Sequence, residues 1–541
     1  MQSRNGEEGG DLTPSATSSP STRLRLRSPE HAVIWITGFA IALALYSATA
    51  HRGVQWQDAG WQQCRIITGQ LDHPRGLALV HPVHYYLGRL AIRLPAIGPA
   101  LGITLLSSFA GAIAVANVAL TLSLLVRNRW AVIVGAAGLM MAHTFWQHAT
   151  HTESYALTAA LLTTEWLLLA VFAVTGRSGC LPLLALTNGL GIATHLLAVL
   201  ALPMDIVIMV WAVRRRRCTL RLALGAAALW LLGTLPYSEL VLAMYLETGS
   251  LTETLHSALL GSYASNVLNT RLTLHNVLLS VGYVAYNFPG LTIPLALLGA
   301  RAALSGRLFP HWVGRVLLGE LLIFTLFVAR YPIVDQYTFF FPIYMILALL
   351  AGIGLAAVLE RASDRRRNYM VGAAALTVAW TPIVFLGTSY TLAASGSLRS
   401  LVGNKPYRDG YRAFFLPWGV GDNAAQQLNA ALSELSGPDS VIVIGDSMIA
   451  HGIRYAQVVG QLPSTVQLVT LAALPSHESI DALHVLLTDA SRAGRTVLFV
   501  PRDRDLPNAP VDGADWERLG DVYRLVRLAA PPVDMHDDRE R

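Results

Sequence analysis

The sequence predicts an all-α polytopic membrane protein with about eleven transmembrane helices, followed by a small α/β domain outside the membrane. Three observations carry this reading. Of 541 residues, 53% are hydrophobic and only 14% are charged, against roughly 25% charged in soluble domains, and the mean hydropathy is +0.46. Apolar runs of helix-spanning length recur along the chain, without the alternation of a membrane barrel. Finally, arginines cluster at the ends of these runs, as membrane topology selects. The net charge of +6 is thereby accounted for by topology, and no nucleic-acid partner is expected.

Residues 1–30, rich in Ser, Thr, Pro and Gly, read as a disordered tail. Arg23, Arg25 and Arg27 hold it in the cytoplasm, and the run 31–50 is too long for a signal peptide and reads as an uncleaved anchor. The spans follow at 31–50, 101–126, 130–146, 155–175, 180–196, 197–213, 219–246, 276–300, 313–330, 336–359 and 369–392. With this register Arg127, Arg129, Arg177, Arg214 to Arg217, Arg301, Arg307 and Arg361 to Arg367 all fall inside. The loops 51–100, 147–154, 247–275, 331–336 and everything after 393 fall outside. The localisation expected is thus an integral, multi-pass protein of the cell inner or plasma membrane, N-terminus cytoplasmic. Of Cys64, Cys180 and Cys218 only Cys64 is exported, so no intrachain disulfide is expected outside.

The stretch 180–213 must cross twice, yet gives each helix only about 17 residues. A shielded hairpin that stops short of the far surface fits, with His195 near its middle. Residues 31–395 form the membrane domain and 396–541 the α/β domain. In the latter, helices are predicted at 422–436 and 477–493, and strands at 441–446, 465–471 and 496–501.

Acidic residues near outer helix ends are few: Asp58 in WQDAGW, Glu153 in HATHTESYAL and Asp335 in RYPIVDQY. Converging on one cavity, they would supply a general base for an acceptor hydroxyl; taken singly, each also reads as a solvated loop acid. Histidines concentrate in the same loops, at 73, 81, 84, 143, 148, 151 and 195. They admit a divalent cation, or simple hydrogen bonding at a wet interface. Trp56, Trp61, Trp146, Tyr85, Tyr86 and Tyr155 suit an interfacial aromatic belt or sugar stacking. Arg65, Arg75, Arg89 and Arg330 break the positive-inside pattern, which fits a bound phosphate or pairing with Asp58, Asp72 or Asp335. The segment IGDSMIAHG is like the first block of GDS-type hydrolases, with Ser447 as nucleophile and Asp481 and His484 as partners. That pair sits in a predicted helix, in a domain too short for such a fold.

Taken together, Asp58-Ala59-Gly60-Trp61, His73-Pro74-Arg75-Gly76, Leu87-Gly88-Arg89, Phe145-Trp146 with Glu153-Ser154-Tyr155-Ala156-Leu157, and Thr194-His195 resemble a known family. It is the protein O-mannosyltransferase-like branch of the GT-C superfamily, whose motifs read D-S-G-E, H-P-P-G, L-G-R, F-W with E-V-Y-A-L, and an Asn-His pair. The resemblance covers Trp56 to about Leu471 and implies a GT-C fold with a hexosyltransferase activity, inverting in outcome. The sugar would pass from a polyprenyl-phosphate donor to a glycan, lipid or protein acceptor on the outer face. It makes Asp58 the base and gives Glu153 the task of orienting the acceptor or assisting a metal. Arg89 or Arg330 would contact the donor phosphate, and His73, His81, His151, Tyr155, His195 and Asp335 would line the site. Ala59 and Trp61 stand where the family has Ser and Glu, and either His73 or His81 holds the family histidine position. Two other classes remain open: a lipid-glycan transporter or flippase, which would need charged residues deep in the spans, and a binding or scaffold protein acting through its α/β tail. The deep acids, Glu165, Asp205, Glu239 and Glu320, lie on separate segments.

Overall fold

A computed structural model describes residues 29–71, 75–95, 97–471, 476–504 and 514–528. Seven helices among them are long and apolar enough to span a bilayer: Pro29–Thr49, Pro99–Leu125, Tyr155–Thr175, Leu220–Thr248, His311–Ala329, Phe341–Leu359 and Asp364–Ser395. Leu274–Asn287 and Thr292–Ser305 add an eighth if counted as one span, although they bend by 102° where they meet. Arg129–Met140, Cys180–Thr194 and Leu202–Arg214 are apolar but shorter.

Three expected spans are therefore discontinuous. The run 276–300 breaks at Phe288-Pro289-Gly290, because proline has no amide proton to donate and clashes with the preceding turn. The run 130–146 stops at Met140 and restarts as His143–Thr150, and 336–359 opens with a separate turn, Gln336–Phe339. In the stretch 180–213, Cys180–Thr194 ends at an extended His195 (φ −160°) and a 3-10 turn, Leu196–Leu200, leads into Leu202–Arg214. The chain thus breaks at His195, within the stretch where a hairpin is expected.

Packing in a bilayer gains little from burying apolar surface, so backbones must come close. Thr292–Ser305 and Phe341–Leu359 do so through glycines: a Cβ on Gly299 would lie 1.8 Å from the Leu350 carbonyl oxygen, and one on Gly354 1.9 Å from that of Leu295. The outward faces of Leu220–Thr248 and Asp364–Ser395 carry exposed leucines and aromatics, as a lipid-contacting surface requires.

The C-terminal region folds as a five-stranded sheet ordered β2-β1-β3-β5-β4, with β1 Val441–Ile444, β2 Gln467–Thr470, β3 Val497–Val500, β4 Ala514–Leu519 and β5 Val522–Leu528. β1 pairs in parallel with β2 and β3, while β5 runs antiparallel to β3 and β4. The three expected strands are found, as are helices Ala424–Leu435 and Ser476–Arg492. The β4–β5 hairpin and the helix Ser447–Val458 were not foreseen. That helix packs on Gln57–Thr68, the first helix of the loop after Pro29–Thr49. Gly452 lets it approach: a Cβ there would lie 2.5 Å from the Trp56 ring and 3.0 Å from the Gln55 carbonyl oxygen. Val54, Trp56 and Cys64 accordingly share one apolar core with Ile442, Ile444 and Leu498 of the sheet.

Candidate active site

Residues from all five loops assigned to the outside meet around one cavity of about 1030 Å³, together with the break at His195. Asp58 stands in the first turn of Gln57–Thr68, Glu153 in the turn after His143–Thr150, and Asp335 just before Gln336–Phe339. A buried amide-hydroxyl network sets the first two relative to each other. Gln55 donates to Thr104 Oγ1 (2.9 Å) and its Oε1 accepts from the Thr152 amide (3.1 Å); Gln63 accepts from the Gln55 amide (2.9 Å) and donates to Thr152 Oγ1 (3.1 Å). Ser107 closes the turn by accepting from the Glu153 amide at 3.3 Å. With these groups paired and buried, the base of the site is held rigidly.

Two residues of the cavity wall are held in the left-handed region: Gln57 (φ 56°), immediately before Asp58, and His81 (φ 53°), immediately before Pro82. Neither is glycine, and His81 precedes proline, so both conformations cost energy that the surrounding structure must offset. The His81 ring stacks on His195 (centroids 4.7 Å apart, 14° between planes), and His195 also lies 4.7 Å from the Tyr155 ring. His195 Nδ1 accepts from the Leu197 amide at 3.1 Å, which leaves Nε2 to carry the proton of the neutral ring.

The three carboxyl groups differ in surroundings. Burial raises Asp58, while the Arg75 guanidinium opposes the rise. Its side chain is open to the cavity but otherwise enclosed by protein, so solvent screens part of that effect. Glu153 is raised well above the usual carboxylate range, by burial first and then by Asp58 and Asp335. Asp335 is pushed up to about 6, again by burial first and then by Asp58. His148 and His151, on the facing helix end, are lowered chiefly by burial.

Of the residues read from sequence, Asp58, His81, His151, Glu153, Tyr155, His195 and Asp335 line the cavity. Arg89 and Arg330 do not. Arg89 donates to the Ile66 and Ile67 carbonyls (2.7 and 3.1 Å), closing the C-terminal end of Gln57–Thr68. Arg330 donates to the carbonyls of Val267 and Asn269 and fastens that loop. Both guanidinium groups satisfy helix-end or loop carbonyls, a use of arginine that sequence does not distinguish from anion binding. His73 lies outside the described residues. The cations that do face the cavity are Arg75, whose Nη1 donates to Tyr263 at 3.0 Å, and Arg408 from the segment before the α/β sheet. Arg408 sits in NKPYRDGYR, among several arginines of the same region, and no sequence signal singles it out. Among the described residues no three His, Cys, Asp or Glu side chains gather as a metal-binding set. The acids therefore share a cavity without forming a ligand cage. In the α/β domain, Asp446 caps its own helix by accepting from the Met448 amide (3.0 Å) and also accepts from Tyr407 (2.8 Å) and Lys405 (3.4 Å). His484 Nδ1 faces the Thr488 hydroxyl, and the Asp481 side chain lies outside the described residues.

Away from the acids the cavity wall turns apolar, formed by Leu196 to Leu200, Leu231, Val241, Leu255, Leu259 and Phe327. Leu231 and Leu259 in this wall are about 60% exposed. The cavity thus joins a charged end to an apolar wall.

The helical bundle with its small appended domain has counterparts among solved structures. The crystal structure of ArnT from Cupriavidus metallidurans bound to undecaprenyl phosphate matches with a TM-score of 0.54 at 14% identity, over 93% of this chain and 100% of that one. Its apo form matches with the same TM-score and identity, over 91% and 98%. Residues 58–219 match the protein O-mannosyl-transferase TMEM260 N-terminal domain, a match that opens at Asp58 and takes in Glu153, Tyr155 and His195. Residues 58–219 thus resemble a protein O-mannosyl-transferase domain, and the fold is similar to that of ArnT. Compared by sequence with curated proteins, it has no match.

Proposed function

We propose that the protein transfers a sugar from a polyprenyl-phosphate donor to an acceptor hydroxyl on the extracytoplasmic face of the membrane, with Asp58 as general base. The observation that carries this reading is the meeting of Asp58, Glu153 and Asp335, from three separate loops, in one cavity that also holds Arg75 and Arg408 and ends in an apolar wall. An isoprenoid chain suits the apolar wall, and a phosphate suits the guanidinium groups. The ArnT structure with undecaprenyl phosphate supports a donor of this class.

In this mechanism Asp58 takes the proton of the acceptor hydroxyl as its oxygen bonds to the anomeric carbon. The bond from that carbon to the phosphate oxygen breaks, and the electron pair leaves with the polyprenyl phosphate, inverting the configuration. Arg75 and Arg408, in place of Arg89 and Arg330, stabilise the leaving charge. Asp58 is the carboxyl best able to stay ionised, because Arg75 opposes its rise and the helix N-terminus favours negative charge. Glu153, driven upward by burial and by two neighbouring acids, remains protonated and donates a hydrogen bond to the acceptor. The arrangement routes no step through a metal. The basic clusters of the opposite loops support a topology in which the cavity and the α/β domain face away from the cytoplasm. The test is sugar transfer by Asp58→Asn in membranes where insertion is verified: transfer should be lost, and full activity would remove Asp58 from this role.

A further inference from the structure

A second set of acids lies outside the cavity. Glu165 of Tyr155–Thr175, Asp205 of Leu202–Arg214 and Glu320 of His311–Ala329 come together between membrane helices, although they are far apart in sequence. Glu165 and Glu320 are each 2% exposed, and none of the three lines the cavity. The carboxyl groups of Glu165 and Asp205 lie next to each other. Two carboxyl groups so placed can bond only when one of them carries a proton.

Glu320 Oε2 accepts from the Trp166 indole at 2.7 Å, and Glu165 Oε2 accepts from Asn188 at 3.4 Å. Glu165 Oε1 and Asp205 Oδ2 are buried without any hydrogen-bond partner. The ionisable groups acting on these acids are one another alone; the packed helices present Trp166, Asn188 and Gly191, none of which titrates. Among the described residues no cation acts on the set, and it does not form a metal site. Uncompensated carboxylates in such surroundings are strongly disfavoured, and their retention in a membrane interior marks function.

The set is wired to the cavity wall. Asn188 also donates to the Ala198 carbonyl (3.3 Å) and accepts from the Trp230 indole (3.1 Å). Trp230, Leu197 and Val199 all line the cavity. One amide therefore joins the acids to the 3-10 turn that follows His195.

We propose that Glu165, Asp205 and Glu320 form an intramembrane proton-binding site, and that emptying it displaces the Leu196–Leu200 turn and with it one wall of the cavity. The full-length protein in lipid nanodiscs tests this without any donor or acceptor, so the outcome is independent of sugar transfer. A spin label at Val199→Cys reads the turn; the native Cys64, Cys180 and Cys218 are all buried. Its spectrum should hold through mildly acidic and neutral pH and change reversibly in strong alkali. E165Q and D205N should abolish that change, whereas D58N and E153Q should retain it. Infrared absorption should show protonated carboxyl groups in neutral buffer that survive the E153Q,D335N double substitution and diminish in E165Q. If E165Q does not fold, E320Q takes its place, because its amide oxygen still accepts from Trp166. A pH response that superimposes in wild type and E165Q, or protonated carboxyl absorption that vanishes entirely with E153Q,D335N, overturns the proposal.

Discussion

The protein holds two trios of acids, and they are built on opposite principles. Asp58, Glu153 and Asp335 stand on turns and a helix start around an open cavity, within the field of arginines. Glu165, Asp205 and Glu320 stand on helices that pack against one another, with indole and amide donors and no cation. The outer trio can exchange protons with water and ligand, so its members can hold different charge states. The inner trio, shut off from the cavity, is proposed to give up its protons only in alkali. Proximity of carboxyl groups is thus not a function in itself; access and counter-charge decide what the group can do.

The comparison is broken most directly at Asp58. D58N should lower transfer by about 10² to 10⁴-fold, the usual contribution of a general base, whereas D205N should leave Asp58's own chemistry in place; a label-transfer assay on matched membrane fractions decides between them. The pH profile is the next largest effect. As the proposed base, Asp58 would work only when ionised, and its folded value is raised, so activity should rise with pH above the ordinary carboxylate range. Asp335 titrates at about 6, and D335N should therefore move the acidic limb of the profile to lower pH by removing a neighbouring negative charge. An unmoved limb would exclude coupling between the two.

Arginine replacements sharpen the distinction between site and scaffold. R75A and R408A should weaken donor use, seen as a raised KM. R89A should leave KM unchanged and cost about 1 kcal/mol of stability in a thermal melt, the scale of a lost helix-end cap. In the inner trio, E320A strands the buried Trp166 indole and should cost about 1–3 kcal/mol, whereas E320Q keeps an acceptor and should cost less. The smallest effect concerns Glu153. Because its folded value is raised, its stability contribution is intact below the ordinary range and declines as pH rises toward the folded value. E153Q should therefore be no less stable than wild type at neutral pH and relatively more stable in alkali, while transfer falls.

Much of the bundle was legible because bilayer thickness dictates helix length: the expected span 155–175 coincides with Tyr155–Thr175. Hydropathy does not register chain direction, so the 102° bend at Phe288-Pro289-Gly290 escaped notice, although its Pro-Gly chemistry announces a break. Asp58, Glu153 and Asp335 were legible because outer acids are scarce and sit at helix ends. Arg408 was not, since only tertiary folding brings it to them. Arg89 and Arg330 misled for a related reason: a guanidinium off the expected side can bind carbonyls as readily as phosphate. The deep acids read as scattered because three helices, not one sequence pattern, bring them together. In the α/β domain, the parallel strands stood out as apolar runs, while the exposed β4–β5 hairpin did not.

The crossing of Gly60 and Gly452 has a consequence for biogenesis. The helix bearing Asp58 follows directly on the first apolar helix, but the helix that seats it, Ser447–Val458, is synthesised only after all the long apolar helices. Until then a ribosome-bound precursor holds Asp58 in an unfinished loop. The proposed site would therefore be completed only after the bundle has been made.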